Sequence, residues 1–307
     1  MLFTRRQFGV GMLGLAASAA SRAYGQQSPA WKTGKIAVPG GNVLWRSHGN
    51  GRKAPLLLVH GGPSGADSKP FEAMSVLGDE RQLLTWDQLD CGESDHPNDP
   101  ANWRLARYVE EMDLVRQALA PGPVHVMGGS WGSMLAMEWL VTKRPRDVVS
   151  VIFICPTLDF ARAEASRRTA QTQLSAPSKA AFDDLARTSN FANPALSAAN
   201  QEYQRTFIIR HPPAGMTAPR VNPAMMRALT TDVRTWSRVA DIGKLTQPLL
   251  FIRGEHDYVT AEDVDVYAKA SPRSQTATIP DAAHIAFVDN PDATNDAVRR
   301  FLNTIER

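Results

Sequence analysis

At 307 residues, 43% of them hydrophobic and 21% charged, the chain is long enough to bury a full-sized core, so disorder is excluded as its resting state. The formal net charge of +3 equals the contribution of Arg5, Arg6 and Arg22, which lie in a leading stretch without a single acid. Without that stretch the chain is neutral, which removes the electrostatic basis for nucleic acid or an anionic membrane surface as a partner.

Residues 1–25 read as a twin-arginine export signal. Thr4-Arg5-Arg6-Gln7-Phe8 precedes a mild Gly/Ala/Leu run from Gly9 to Ala20, and Ala23-Tyr24-Gly25 supply small residues around a cleavage point. The apolar run is about 12 residues where a membrane span needs about 20, so cleavage is expected rather than anchoring. The expected destination is the periplasm or the medium, with no stable membrane association after cleavage.

Next come Lys35 to Val38 and Val43 to Ser47, short β-type runs joined by Pro39-Gly40-Gly41 as hairpin punctuation. Buried apolar runs then alternate with amphipathic segments. The runs are Leu56 to Val59, Leu83 to Trp86, Val124 to Met127, Val151 to Ile154, Leu249 to Ile252 and Ala277 to Ile279; Trp103 to Leu119 and Met134 to Val141 have helical spacing. Alternation of this kind predicts an α/β fold, a mostly parallel central sheet with helices on both faces.

The strands lapse between about Pro156 and Gly243. Helical periodicity persists over Asp159 to Gln173, Lys179 to Arg187 and Pro194 to Arg210, with Pro212-Pro213 and Pro219 as breakers. The expected organisation is a core of residues 26–156, an all-helical cap over 157–243, and the rest of the core over 244–307. Cys91 and Cys155 fall on strands several spacings apart, too far for a disulfide, and are expected to be reduced.

Gly128-Gly129-Ser130-Trp131-Gly132 directly follows one predicted strand and directly precedes a predicted helix. Glycines permit a tight strand-to-helix turn that lifts the Ser130 hydroxyl above the carboxyl edge of the sheet, where a nucleophile can reach substrate. An isolated serine needs a base, and the base needs an orienting acid. Two later strands run into Gly254-Glu255-His256-Asp257 and Asp281-Ala282-Ala283-His284, which supply Asp257 as the acid and His284 as the base, with Glu255 as a competing acid. Donors for an oxyanion are expected from the Trp131 N–H and from the loop His60-Gly61-Gly62-Pro63-Ser64, most simply from Gly62. No His/Cys/Asp group has zinc-ligand spacing, so neither a metal nor another cofactor is expected. An aspartate-nucleophile enzyme is disfavoured by the serine at the elbow, and a purely ligand-binding role by the full set of triad positions.

Three motifs in order, His60-Gly61-Gly62-Pro63, Trp86-Asp87-Gln88-Leu89-Asp90-Cys91-Gly92-Glu93-Ser94 and Gly128-Gly129-Ser130-Trp131-Gly132, resemble those of the proline iminopeptidase family of α/β-hydrolases. The resemblance runs from about Lys35 to the C-terminus. It implies a helical cap between the sixth and seventh strands and a metal-free serine aminopeptidase acting on a short-peptide or other small substrate. It also implies a cap glutamate that anchors the substrate's ammonium group, for which Glu202 is the candidate. A second such glutamate has no counterpart between Met225 and Trp236, where Asp232 is the only acid. Ser64 and Asp90 stand where the family motifs carry glycine. The alternative is an exported esterase, lactonase or aryl amidase using the same triad on neutral substrates. Oligomeric state is left open.

Overall fold

The computed structural model describes residues 30–188, 190, 192–216 and 221–306; the export signal expected over residues 1–25 lies outside them. Eight strands form one sheet in the order β1-β2-β4-β3-β5-β6-β7-β8. β1 (Lys32–Val38) and β2 (Gly41–His48) are the predicted hairpin, with β2 antiparallel to β4 (Arg81–Trp86). β3 (Lys53–Val59), β4, β5 (Val124–Gly129), β6 (Val148–Ile154), β7 (Leu249–Gly254) and β8 (Ser274–Ile279) are parallel.

The apolar runs are continuous because both faces of the sheet are buried. Leu57 and Val59 point to one core with Val126, Phe153 and Phe251, while Leu56 and Leu58 point to the other with Met127, Ile152 and Ile252. The first face is covered by α1 (Leu105–Leu119) and α2 (Trp131–Lys143). The second is covered by the 3-10 segment Lys69–Asp79 and by the C-terminal helix Pro291–Ile305.

Between β6 and β7 lie α3 (Phe160–Gln171), α4 (Ala176–Thr188), α5 (Ala195–Tyr203), α6 (Pro223–Asp232) and the short α7 (Val239–Ile242). α5 runs into a π-helical turn, Gln204–Ile208. The helical segments expected from the sequence end at Arg210 and leave out α6. Pro223 is its first residue, and the Asn222 side chain accepts from the N–H groups of Ala224 and Met225. After β7 come α8 (Ala261–Lys269) and α9 (Ala286–Asp289), and α10 is the C-terminal helix. His48 is the buried last residue of β2 and stacks on Trp31. Cys91 and Cys155 are buried and free. No helix among the described residues is long and apolar enough to cross a membrane.

Candidate active site

Ser130 occupies the turn between β5 and α2 with φ 52° and ψ −119°, a conformation that side chains rarely adopt. Close packing enforces the turn. A Cβ on Gly128 would stand 2.4 Å from the Gly132 carbonyl, and one on Gly132 would stand 2.1 Å from that of Val59. The Ser130 N–H donates to the Ile154 carbonyl at 3.1 Å, which ties the elbow to the end of β6.

His284 Nδ1 lies 2.9 Å from Asp257 Oδ1. A carboxylate only accepts, so Nδ1 carries the proton and Nε2 is left as the basic nitrogen. The Asp257 side chain is fully buried; Oδ1 also accepts from the Val259 N–H at 3.0 Å, and Oδ2 has no hydrogen-bond partner. Glu255, the competing acid, is exposed and accepts from the Asp281 N–H instead. Tyr258 stacks on the His284 ring with centroids 4.5 Å apart, and its hydroxyl lies 3.4 Å from Nε2. Burial pushes the Tyr258 phenol up, with Arg167 and a hydrogen bond with Ser130 opposing the shift.

Behind the acid, Cys155 brings its sulfur within 4.8 Å of the ligating atoms of Asp257 and His284. Burial, reinforced by the Asp257 charge, pushes its thiol well above the ordinary value, so it stays protonated. With Nδ1 of His284 already bound to Asp257 and the Cys155 thiol directed at the Ala283 carbonyl, the trio is a poor metal site.

Ser130, His284, Gly61 and Gly62 open onto one cavity of about 410 Å³. The His60–Ser64 loop packs against Ser130: a Cβ on Gly61 would lie 2.9 Å from the Gly129 carbonyl and 3.0 Å from Ser130 Cβ. Gly62 has φ 55°. Trp131 is the first residue of α2, where a backbone N–H has no acceptor within the helix. Gln88 joins the His60–Ser64 loop to the start of α2. Its side chain donates to the His60 carbonyl and accepts from Trp131 Nε1, and its N–H donates to His60 Nε2. His60 must then carry its proton on Nδ1, which meets the Gly61 carbonyl at 2.8 Å; burial lowers its pKa and keeps it neutral.

Ser64 and Asp90, the two departures from glycine, have φ of 75° and 63°, the left-handed values that glycine would adopt freely. Each holds its conformation with its own side chain. Ser64 Oγ donates to the Asn222 carbonyl at 3.0 Å, fastening the His60–Ser64 loop to the start of α6. Asp90 accepts from the Asn98 N–H and from Trp103 Nε1.

Glu202 is not brought to this cavity. Its carboxylate accepts from the N–H and hydroxyl of Ser175 and from the Ser178 hydroxyl, at the start of α4, where a carboxylate complements free N–H groups and the helix dipole. Asp232 is likewise engaged elsewhere, accepting from the Leu105 N–H at the start of α1. The cavity walls are apolar, formed by Phe71, Phe182, Ile208 and Phe287, with Arg167 and Asp67 as charged lining residues. Gln88, Tyr258 and Arg167 went unnoticed in the sequence reading. Gln88 lies inside a quoted motif, whereas Arg167 sits in a Ser-Arg-Arg run that looks like an ordinary solvated helix face.

Residues 54–291 match a family model described as alpha/beta hydrolase fold. The chain is 28% identical over 286 residues to a proline iminopeptidase of Heyndrickxia coagulans, covering 89% of this chain and 99% of that one. It is 32% identical over 270 residues to a proline iminopeptidase of Levilactobacillus brevis, covering 81% and 88%. Among solved structures, the proline iminopeptidase of Mycobacterium smegmatis superposes with a TM-score of 0.74 at 22% identity, over 89% of this chain and 98% of that one.

Proposed function

The chain belongs to the proline iminopeptidase family of α/β hydrolases and is a hydrolase; from that premise we propose that it cleaves small amide or peptide bonds through an acyl-enzyme on Ser130. In this reading Ser130 Oγ attacks the carbonyl carbon as its proton passes to His284 Nε2, and Asp257 stabilises the imidazolium. The N–H groups of Trp131 and Gly62 receive the oxyanion. The leaving group takes the proton from His284, and water then attacks the ester with His284 again as the base.

The observation that supports this most is the 2.9 Å contact of His284 with Asp257, which leaves Nε2 facing the cavity that also holds Ser130. A second reading, hydrolysis of esters or amides that lack a free amine, is favoured by the engagement of Glu202 and Asp232 away from the cavity.

The test is the rate on proline p-nitroanilide, its N-acetylated form and p-nitrophenyl acetate, with Ser130→Ala and His284→Ala alongside. Both variants are expected to fold cooperatively and to lose at least 99% of kcat; more than a few per cent remaining in both would remove the triad. A preference for the free amine of about a hundredfold, or about 2.7 kcal/mol, would establish the peptidase reading. Equal or better turnover of the acetylated anilide or the ester would establish the second.

A further inference from the structure

We propose that the cavity wall formed by Arg167, Tyr258 and Tyr203 is a carboxylate-binding subsite, so that the substrate carries an anionic group close to the bond that is cleaved. The inference rests on the hydrolase reading of Ser130.

Arg167 projects from α3 and lines the same cavity as Ser130 and His284. Its guanidinium lies over the Tyr258 ring, 5.3 Å from the centroid, and 44% of its side chain is exposed. Tyr258 in turn stacks on the catalytic-site histidine, so the cation sits one aromatic ring away from His284. Tyr203, on the same wall, is 7% exposed, and its hydroxyl is buried with no hydrogen-bond partner. An unpartnered buried hydroxyl costs stability unless a ligand or water completes it. Arg167 and Tyr203 bring a planar cation and an unpartnered phenol together beside the Tyr258 ring, a donor set that suits a carboxylate.

Three acids bear on the site; Asp257, whose charge reaches both phenols, is already paired with His284. Glu164, one turn along α3, meets Arg167 Nη1 at 2.8 Å; both are partly exposed, and a guanidinium has five N–H donors, so the pair leaves donors for a ligand. Asp67 lines the cavity from the oxyanion loop, and its carboxylate already accepts from the Lys69 N–H. With Glu202 and Asp232 held at helix starts outside the cavity, the cap side of the site presents a cation where an amine-binding site needs anions.

The carboxylate belongs either to the acyl part or to the leaving group, and matched pairs separate the two. Succinyl p-nitroanilide is compared with succinamoyl p-nitroanilide for the acyl side. N-butyryl-4-aminobenzoate is compared with N-butyryl-4-aminobenzamide for the leaving side. In one of the pairs kcat/KM is expected to favour the carboxylate at least tenfold. Arg167→Met should bring that pair within about twofold while changing the neutral member little, and Glu164→Gln should widen the preference. Loss of both members alike in Arg167→Met would mark Arg167 as structural and overturn the proposal, as would equal turnover within both wild-type pairs.

Calorimetric titration of Ser130→Ala with succinate and with succinamide tests the subsite without turnover: tighter binding of succinate supports it, and equal or absent binding overturns it. Labelling of the wild type with a fluorophosphonate reports separately on Ser130. An unlabelled serine would end the hydrolase mechanism while leaving the calorimetric result to decide the subsite.

Discussion

Most of the chemistry here is set by backbone that has no room for a side chain. Gly61 is the sharpest case, since a Cβ there would meet both the Gly129 carbonyl and Ser130 Cβ at about van der Waals overlap. The contacts are with backbone and with Ser130, already in a strained conformation, so the His60–Ser64 loop must yield. Gly61→Ala is therefore expected to lower kcat at least tenfold with KM little changed, and with a thermal midpoint within a few degrees of the wild type. An unchanged kcat would mean that the loop is not where the oxyanion is held. Ser64 and Asp90 show the converse at the same scale: residues other than glycine tolerate left-handed φ when a local hydrogen bond fixes it, and each of these side chains supplies one.

At the scale of elements, the cap depends on side chains that satisfy helix starts. Glu202 does this for α4, and the Ser175 and Ser178 hydroxyls together with the Ser175 N–H hold its carboxyl below the usual range. A carboxylate whose folded pKa is depressed stabilises the fold above its unfolded value, about 4.3, and that stability is lost as pH falls through the folded value. Glu202→Gln is expected to lower the melting midpoint by about 2–4 °C at pH 7 and by less near pH 3. It should leave KM for a free-amine substrate unchanged within twofold. A large rise in KM confined to amine substrates would restore Glu202 as an ammonium anchor. The cap is also fixed to the catalytic loops: the N–H groups of His284 and Ile285 donate to the Phe207 and Ile208 carbonyls, and Asn222 pairs with Ser64. These helices therefore bear on both the His284 loop and the His60–Ser64 loop.

At the scale of the whole molecule, Glu306 closes the sheet from the C-terminal end. It meets Arg81 of β4 with two bonds of 2.7 and 2.8 Å, and His125 Nε2 of β5 at 2.9 Å. Burial opposes its charge, yet Arg81 and His125 hold its carboxyl down to about 2. The stability it adds is fully present above about pH 4.3 and is lost as the pH falls toward 2. Arg81 is 1% exposed, so Glu306→Gln would leave a buried cation without its bidentate partner at a cost of about 3 kcal/mol at neutral pH. Urea unfolding at pH 7 and at pH 3 measures both effects. The variant should lose less stability than the wild type on acidification, and an unaltered pH dependence would show that the pair is solvent-screened.

What the sequence determined by itself was local and periodic. Apolar runs marked the strands after the hairpin, buried on both faces in β3 to β7 and largely exposed in the edge strand β8, the glycines around Ser130 marked the elbow, and strand ends carried Asp257 and His284, because strand, turn and helix are written in neighbouring residues. Meetings across long separations were decided only by tertiary structure. Glu202 and Asp232 are ordinary helix carboxylates in the sequence, and the packing of α5 on α4 and of α6 on α1 turned them away from the cavity. Arg167 belongs to a polar run whose spacing carries no sign of Tyr258, some ninety residues later, and packing set the guanidinium over that ring. The side chains that accept or repel a substrate are chosen by that packing, which no local pattern encodes.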